Sequence, residues 1–129
     1  MRVLNIEDTP IKHRKIRDVL ESCRITDIDR VGYLDEGISA YKESIASGNP
    51  YDLVITDMWY PPTRGADEEK CGDKLVEIAL KEKWDVPIII CSNQNYSYPE
   101  IFGTLYFSDN VDWEGQLRQY IEQLRKPSS

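Results

Sequence analysis

A chain of 129 residues, 40% of them hydrophobic, is long enough to bury one core and too short for a second domain. With 23 acidic against 16 basic side chains it carries a formal net charge of −7, which repels a phosphate backbone and argues against non-specific binding of nucleic acid. No stretch approaches the ~18 apolar residues of a membrane span, and no cationic segment with a long apolar core opens the chain, so a cytoplasmic protein with no membrane partner is expected.

Arg2 to Ile6 reads as a first strand that ends on two adjacent acids, Glu7 and Asp8. Thr9 and Pro10 then suit a helix start, Thr9 as a cap and Pro10 at the first helical position, where a missing N–H costs nothing. Ile16, Val19, Leu20 and Cys23 recur at helical spacing and predict one apolar stripe toward a sheet. Lys12, His13, Arg14, Lys15 and Arg17 crowd the first turns of the same helix. Such a run reads as a solvated face, or else as a docking surface for an acidic partner; His13, the single histidine, reads as a surface helix residue.

Residues 28–34 have the mixed polarity of an edge strand. Asp35 and Glu36 open a second helix with Ile38, Tyr41 and Ile45 at helical spacing, and Ser47-Gly48-Asn49-Pro50 ends it. Leu53, Val54 and Ile55 lack the alternation of a half-solvated strand, so 52–57 predicts a central parallel strand covered on both faces and closing on Asp57. The segment from Met58 to Cys71, with Pro61-Pro62, Gly65 and the acids 67–69, predicts a long loop of the kind that is usually functional or mobile.

Gly72 to Lys83 predicts a third helix, and Val86 to Cys91 a second doubly buried strand with Pro87 near its start. Between Ser92 and Thr104 only a short helix fits, because Pro99 interrupts the span. Thr104 to Phe107 predicts the last strand. Trp113, Leu117, Tyr120, Ile121 and Leu124 predict an amphipathic last helix. Cys23, Cys71 and Cys91 lack C-x-x-C spacing and suggest reduced thiols rather than a disulfide framework or a zinc site.

Five strands alternating with helices predict an α/β fold of the flavodoxin-like type: a five-stranded parallel sheet in the order 2-1-3-4-5, helices on both faces, and a shortened fourth helix. Residues 1–126 form the single domain of this reading and 127–129 a C-terminal tail. In that order strands one and three are neighbours, which brings Glu7 and Asp8 beside Asp57. Three carboxylates forced together repel, and burial raises their pKa values unless a cation or proton compensates. All-oxygen donors favour Mg²⁺ or Mn²⁺. With such an ion present, Asp57 could act as a nucleophile toward phosphorus, and Ser92, at the end of the adjacent strand, could donate its hydroxyl to a phosphoryl oxygen.

These residues resemble the receiver domain of two-component response regulators (CheY-like) over nearly the whole chain. Arg2 to Asp8 is similar to the family's first strand and acid pair, Leu53 to Pro61 to its phosphoacceptor strand with a proline four residues on, and Ile88 to Ser92 to its fourth strand ending in a hydroxyl residue. The resemblance implies that Asp57 accepts a phosphoryl group from a histidine kinase or phosphotransfer protein. It implies a metal site of Asp8, Glu7 partly through water, Asp57 and the backbone carbonyl of Trp59. It also implies that Ser92 binds the phosphoryl group, and that no catalytic residue beyond Asp57 is needed.

The pattern breaks at the end of strand five, where the family places a lysine that pairs with the phosphoryl group and couples it to the switch. No lysine occurs from Trp84 through Arg125, and the register leaves Phe107, Ser108 or Asp109 at that place. Loss of a charge-assisted contact there is worth roughly 1.5–3 kcal/mol. The short fourth helix alters the family's usual output face, and the enlarged loop lets Trp59, Tyr60 and the acidic run cover the site or form another binding surface.

The expected function is a stand-alone, atypical receiver that signals by contact with an unknown downstream protein and is no enzyme beyond autodephosphorylation. The alternative is a pseudo-receiver that binds a partner constitutively. A haloacid dehalogenase-like phosphatase would need an acid two residues after the nucleophile, where Trp59 stands.

Overall fold

A computed structural model describes residues 1–126. The elements run β1 (Arg2–Ile6), α1 (Pro10–Ser22), β2 (Asp27–Val31), α2 (Leu34–Ala46), β3 (Leu53–Thr56), α3 (Cys71–Glu82), β4 (Ile88–Ser92), β5 (Gly103–Tyr106) and α4 (Trp113–Arg125). The strands form one sheet in the order β2-β1-β3-β4-β5 with every pairing parallel, as the alternation of elements predicts. Residues 127–129, the expected tail, lie outside the described residues.

Successive side chains of a strand point to opposite faces, and here both faces are covered. Leu53 and Ile55 of β3 join Ile16, Val19 and Leu20 of α1 and Leu117 and Ile121 of α4 in one cluster. Val54 between them joins Leu34 and Tyr41 of α2 and Leu75 and Ala79 of α3 in the other. Thus α1 and α4 cover one face and α2 and α3 the other, and all four β3 residues are buried.

Three differences from the expected elements have local causes. The edge strand β2 stops at Val31 instead of Leu34, because Leu34 already begins α2, held by the bond from its N–H to the Pro61 carbonyl at 3.3 Å. The expected short fourth helix is reduced to a turn at Pro99–Glu100, closed by the Ile101 N–H on the Tyr98 carbonyl at 3.5 Å. Thr9 stands at the N-cap of α1 and Pro10 at its first position, yet the Thr9 side chain makes no cap bond.

The segment between β3 and α3 is tied down rather than free. Tyr60 and Glu69 form an antiparallel bridge with bonds of 3.2 and 3.1 Å, and Tyr60 is fully buried. Burial excludes Tyr60 as a partner anchor, whereas Trp59 is 42% exposed. No helix among the described residues is long and apolar enough to cross a membrane.

Candidate functional site

Because β1 and β3 are neighbours, with Ile6 paired to Thr56, the residues that follow them leave the sheet side by side at its carboxyl end. The Asp57 N–H still donates to the Ile6 carbonyl at 3.0 Å, and the Glu7 N–H donates to the Val31 carbonyl of β2 at 2.9 Å. Backbone ladder bonds therefore fix both acids. One carboxylate oxygen from each of Glu7, Asp8 and Asp57 lies within 4.8 Å of the other two, which is the convergence the strand order demands.

The three carboxylates differ in surroundings. Glu7 is fully buried; its Oε2 accepts the Thr9 N–H at 3.1 Å, and its Oε1 has no hydrogen-bond partner. Burial pushes the Glu7 carboxyl up to about 7, the Lys12 charge opposing and the Asp57 charge adding to the rise. Asp8, less enclosed, is raised by burial and by the charge of Asp57. Asp57 Oδ1 accepts the Met58 N–H at 2.7 Å.

Glu7 Oε1 accepts no hydrogen bond, although the Lys12 ammonium lies 3.1 Å from it, and three converging carboxylates make an all-oxygen donor set that suits a hard divalent ion. The residues present therefore fit Mg²⁺ or Mn²⁺. Trp59, expected to add its carbonyl, lines the same cleft, a space of about 420 Å³ also bounded by Asp8, Lys12, Asp57, Asn93 and Phe107. The Trp59 indole N–H donates to the Tyr96 hydroxyl at 3.0 Å, which ties the loop after β3 to the loop after β4.

Ser92 ends β4, two residues beyond the Thr56–Ile90 pair, and is buried. Its Oγ accepts the Gln94 N–H at 3.3 Å, so its own proton stays free to donate; the adjacent Asn93, rather than Ser92, lines the cleft. Of the three candidates at the end of strand five, Phe107 faces the site, its ring centroid 5.3 Å from Lys12 Nζ.

Lys12 overturns its expected place on a solvated face. It is buried, its Nζ donates to the Cys91 carbonyl at 2.7 Å, and it lies 3.1 Å from both Glu7 Oε1 and Asp57 Oδ1. The contact with Glu7 has ion-pair distance without hydrogen-bond geometry. The signal was present in the sequence: Lys12 precedes Ile16, Val19 and Leu20 by four, seven and eight residues and so belongs to their stripe. Nearby charge raises its pKa against the opposing effect of burial. His13 is likewise half-buried rather than on the surface, its Nδ1 paired with Asn5 Oδ1 at 2.7 Å.

No protein-family model matches the chain. It is 34% identical over 92 residues to the two-component response regulator ARR18 of Arabidopsis thaliana; the match takes in 71% of this chain and 12% of that protein, so the chain spans about an eighth of its relative. Among solved structures it is similar to the response regulator RPA3017 in red light signaling of R. palustris, at 14% identity and a TM-score of 0.74 over 99% of this chain and 96% of that one. The Mn²⁺-bound form of the response regulator Rcp1 superposes at 18% identity and a TM-score of 0.68, over 98% and 96%. TrrA from Thermotoga maritima in complex with Mg²⁺-BeF does so at 24% identity and 0.68, over 95% and 97%. The chain thus has the fold of the response-regulator receiver domain, and the likeness read from its sequence is borne out.

Proposed function

We propose that this receiver-fold chain accepts a phosphoryl group on Asp57 from a histidine kinase or phosphotransfer protein in the cytoplasm and passes the signal on by contact with a downstream protein. The observation that carries this reading is the convergence of one carboxylate oxygen from each of Glu7, Asp8 and Asp57 within 4.8 Å at the carboxyl end of the sheet. In the transfer, an Asp57 carboxylate oxygen attacks phosphorus. A P–O bond forms as the P–N bond to the donor imidazole breaks, and the departing nitrogen keeps the electron pair and takes a proton from solvent.

A divalent ion held by Glu7, Asp8, Asp57 and the Trp59 carbonyl would neutralise phosphoryl charge next to the acids. The chain's own groups position the rest. The Met58 N–H fixes the rotamer of Asp57. Ser92 keeps a hydroxyl proton with which to meet a phosphoryl oxygen. Trp59 and Phe107 line the cleft and give it an aromatic rim. On this reading the chain is a phosphoacceptor and turns over no external substrate.

Intact mass after incubation with Mg²⁺ and a small acyl phosphate tests the proposal. Wild type is expected to gain one phosphoryl group and Asp57→Asn none. A wild type that gains no mass returns the chain to a constitutive binding module, the reading that the missing helix between β4 and β5 otherwise favours.

A further inference from the structure

We propose that Lys12 is the cation that holds the transferred phosphoryl group, supplied from α1 where the end of β5 offers only the ring of Phe107. This rests on Asp57 being the phosphoacceptor, as proposed above. Phosphorylation turns the single negative charge of Asp57 into about two, beside two further acids, and such a product needs a fixed positive charge within reach. Among the described residues, Lys12 is the basic side chain within ion-pair distance of Asp57, at 3.1 Å.

Its position is built rather than accidental. The Cys91 carbonyl accepts from Nζ at 2.7 Å, the Phe107 ring stands 5.3 Å away, and the stem continues the stripe that packs into the core. A buried lysine normally keeps its charge only if partners compensate for the lost hydration, and here a carbonyl and two carboxylates do so. Two other cations stand near: Lys15 lines the same cleft, its Nζ 5.8 Å from the Phe107 ring, but of the two lysines only Lys12 pairs with Asp57, and Arg30 donates to the backbone carbonyls of Glu7 and Asp8 at 3.0 and 3.2 Å.

The same ammonium faces Glu7 Oε1, the oxygen left without a hydrogen bond. Lys12 therefore competes with a divalent ion for Glu7 while it assists the anion on Asp57. Removing its charge moves the two affinities in opposite directions, whereas loose packing would weaken both.

Beryllium fluoride serves as the phosphoryl mimic and Mg²⁺ alone as the metal probe, both followed by Trp fluorescence with Trp59→Phe as the blank. Lys12→Gln retains a donor for the Cys91 carbonyl and loses the charge. It is expected to bind beryllium fluoride at least tenfold more weakly than wild type at saturating Mg²⁺, to bind Mg²⁺ alone more tightly, and to keep a cooperative melt. Lys12→Met/Phe107→Lys moves the ammonium to the strand and is expected to recover most of the anion affinity.

Equal beryllium fluoride affinity in wild type and Lys12→Gln overturns the assignment, as does a parallel loss of both ligands. If Lys12→Gln fails to fold, the relocated variant decides: a folded protein that binds no anion also overturns it. A wild type that takes neither beryllium fluoride nor phosphoryl mass is a different result, since it removes the phosphoacceptor reading itself.

Discussion

Gly72, the second residue of α3, lies with its backbone against that of Asp57: a Cβ added there would stand 2.7 Å from the Asp57 carbonyl oxygen and 2.9 Å from Met58 Cα. Both are backbone atoms and cannot rotate aside, and the Gly72 N–H donates to the Met58 carbonyl at 3.0 Å. The start of α3 thus sets the height of the loop that carries the candidate phosphoacceptor. Gly72→Ala is expected to cost about 1–3 kcal/mol in urea unfolding, the usual range for overpacking a filled site. It should also weaken Mg²⁺ binding, because the loop must shift to admit the methyl group. An unchanged urea midpoint together with an unchanged Mg²⁺ titration would show that the contact is relieved elsewhere.

The raised Glu7 carboxyl gives the site a pH dependence whose sign follows from burial. Folded, Glu7 holds its proton up to about pH 7; unfolded, it releases it near 4.5. The folded state therefore binds the extra proton between those limits. The stability that proton provides is complete below pH 4.5 and is lost as pH rises through about 7. At about 1.4 kcal/mol per pK unit, the metal-free protein should lose a few kcal/mol over that window. Metal binding runs the other way, since Mg²⁺ must displace the proton: its affinity should be roughly tenfold weaker at pH 6 than at pH 8. Parallel titrations of wild type and Glu7→Gln check this, and a variant with the same pH slope as wild type would place the proton on another group.

The sheet order and the acid cluster were legible because both follow from patterns the chain repeats. Leu53 to Ile55 lack alternation, which only a doubly covered strand explains, and β–α alternation leaves β1 beside β3. The role of Lys12 was hidden because a run of five basic or histidine side chains reads as a solvated face when counted by charge. Its spacing to Ile16 and Leu20 carried the contrary signal. Nothing in the sequence showed that Gly72 meets the backbone of Asp57, a contact across the whole loop after β3, or that Tyr60 turns inward to meet Thr56 Oγ1 at 3.0 Å, which depends on how the start of that loop folds back. Pro99 limits the span after β4, but whether a helical turn survives there depends on packing rather than on propensity.

The three cysteines should separate by reactivity. Burial pushes the Cys91 thiol up to about 12, and burial also raises that of the enclosed Cys71. Thiolate is the reacting species, so both are protected by pKa as well as by access. Cys23, at the C-terminal end of α1, is partly exposed. Iodoacetamide at pH 8 is expected to add one group to the native protein, at Cys23, and three in denaturant. Rapid native labelling of Cys91 would mean that the floor of the cleft opens, since its carbonyl holds Lys12.

A phosphoryl group held by Lys12 would be felt first by α1. The lysine sits in the first turn of that helix, four residues before the buried Ile16, while the end of β5 presents an uncharged ring and no helix lies between β4 and β5. Pulling the ammonium toward Asp57 tightens the first turn of α1, where the His13 N–H bonds the Thr9 carbonyl at 3.1 Å. Hydrogen exchange with Mg²⁺ and beryllium fluoride should therefore slow most in residues 9–16 and in the loop after β3, and less in residues 93–106. The effect on 9–16 should disappear in Lys12→Gln at ligand concentrations that still saturate it. Protection concentrated in 93–106, with residues 9–16 unchanged, would mean that the signal leaves the site through β4 and β5 and that Lys12 holds charge without transmitting it.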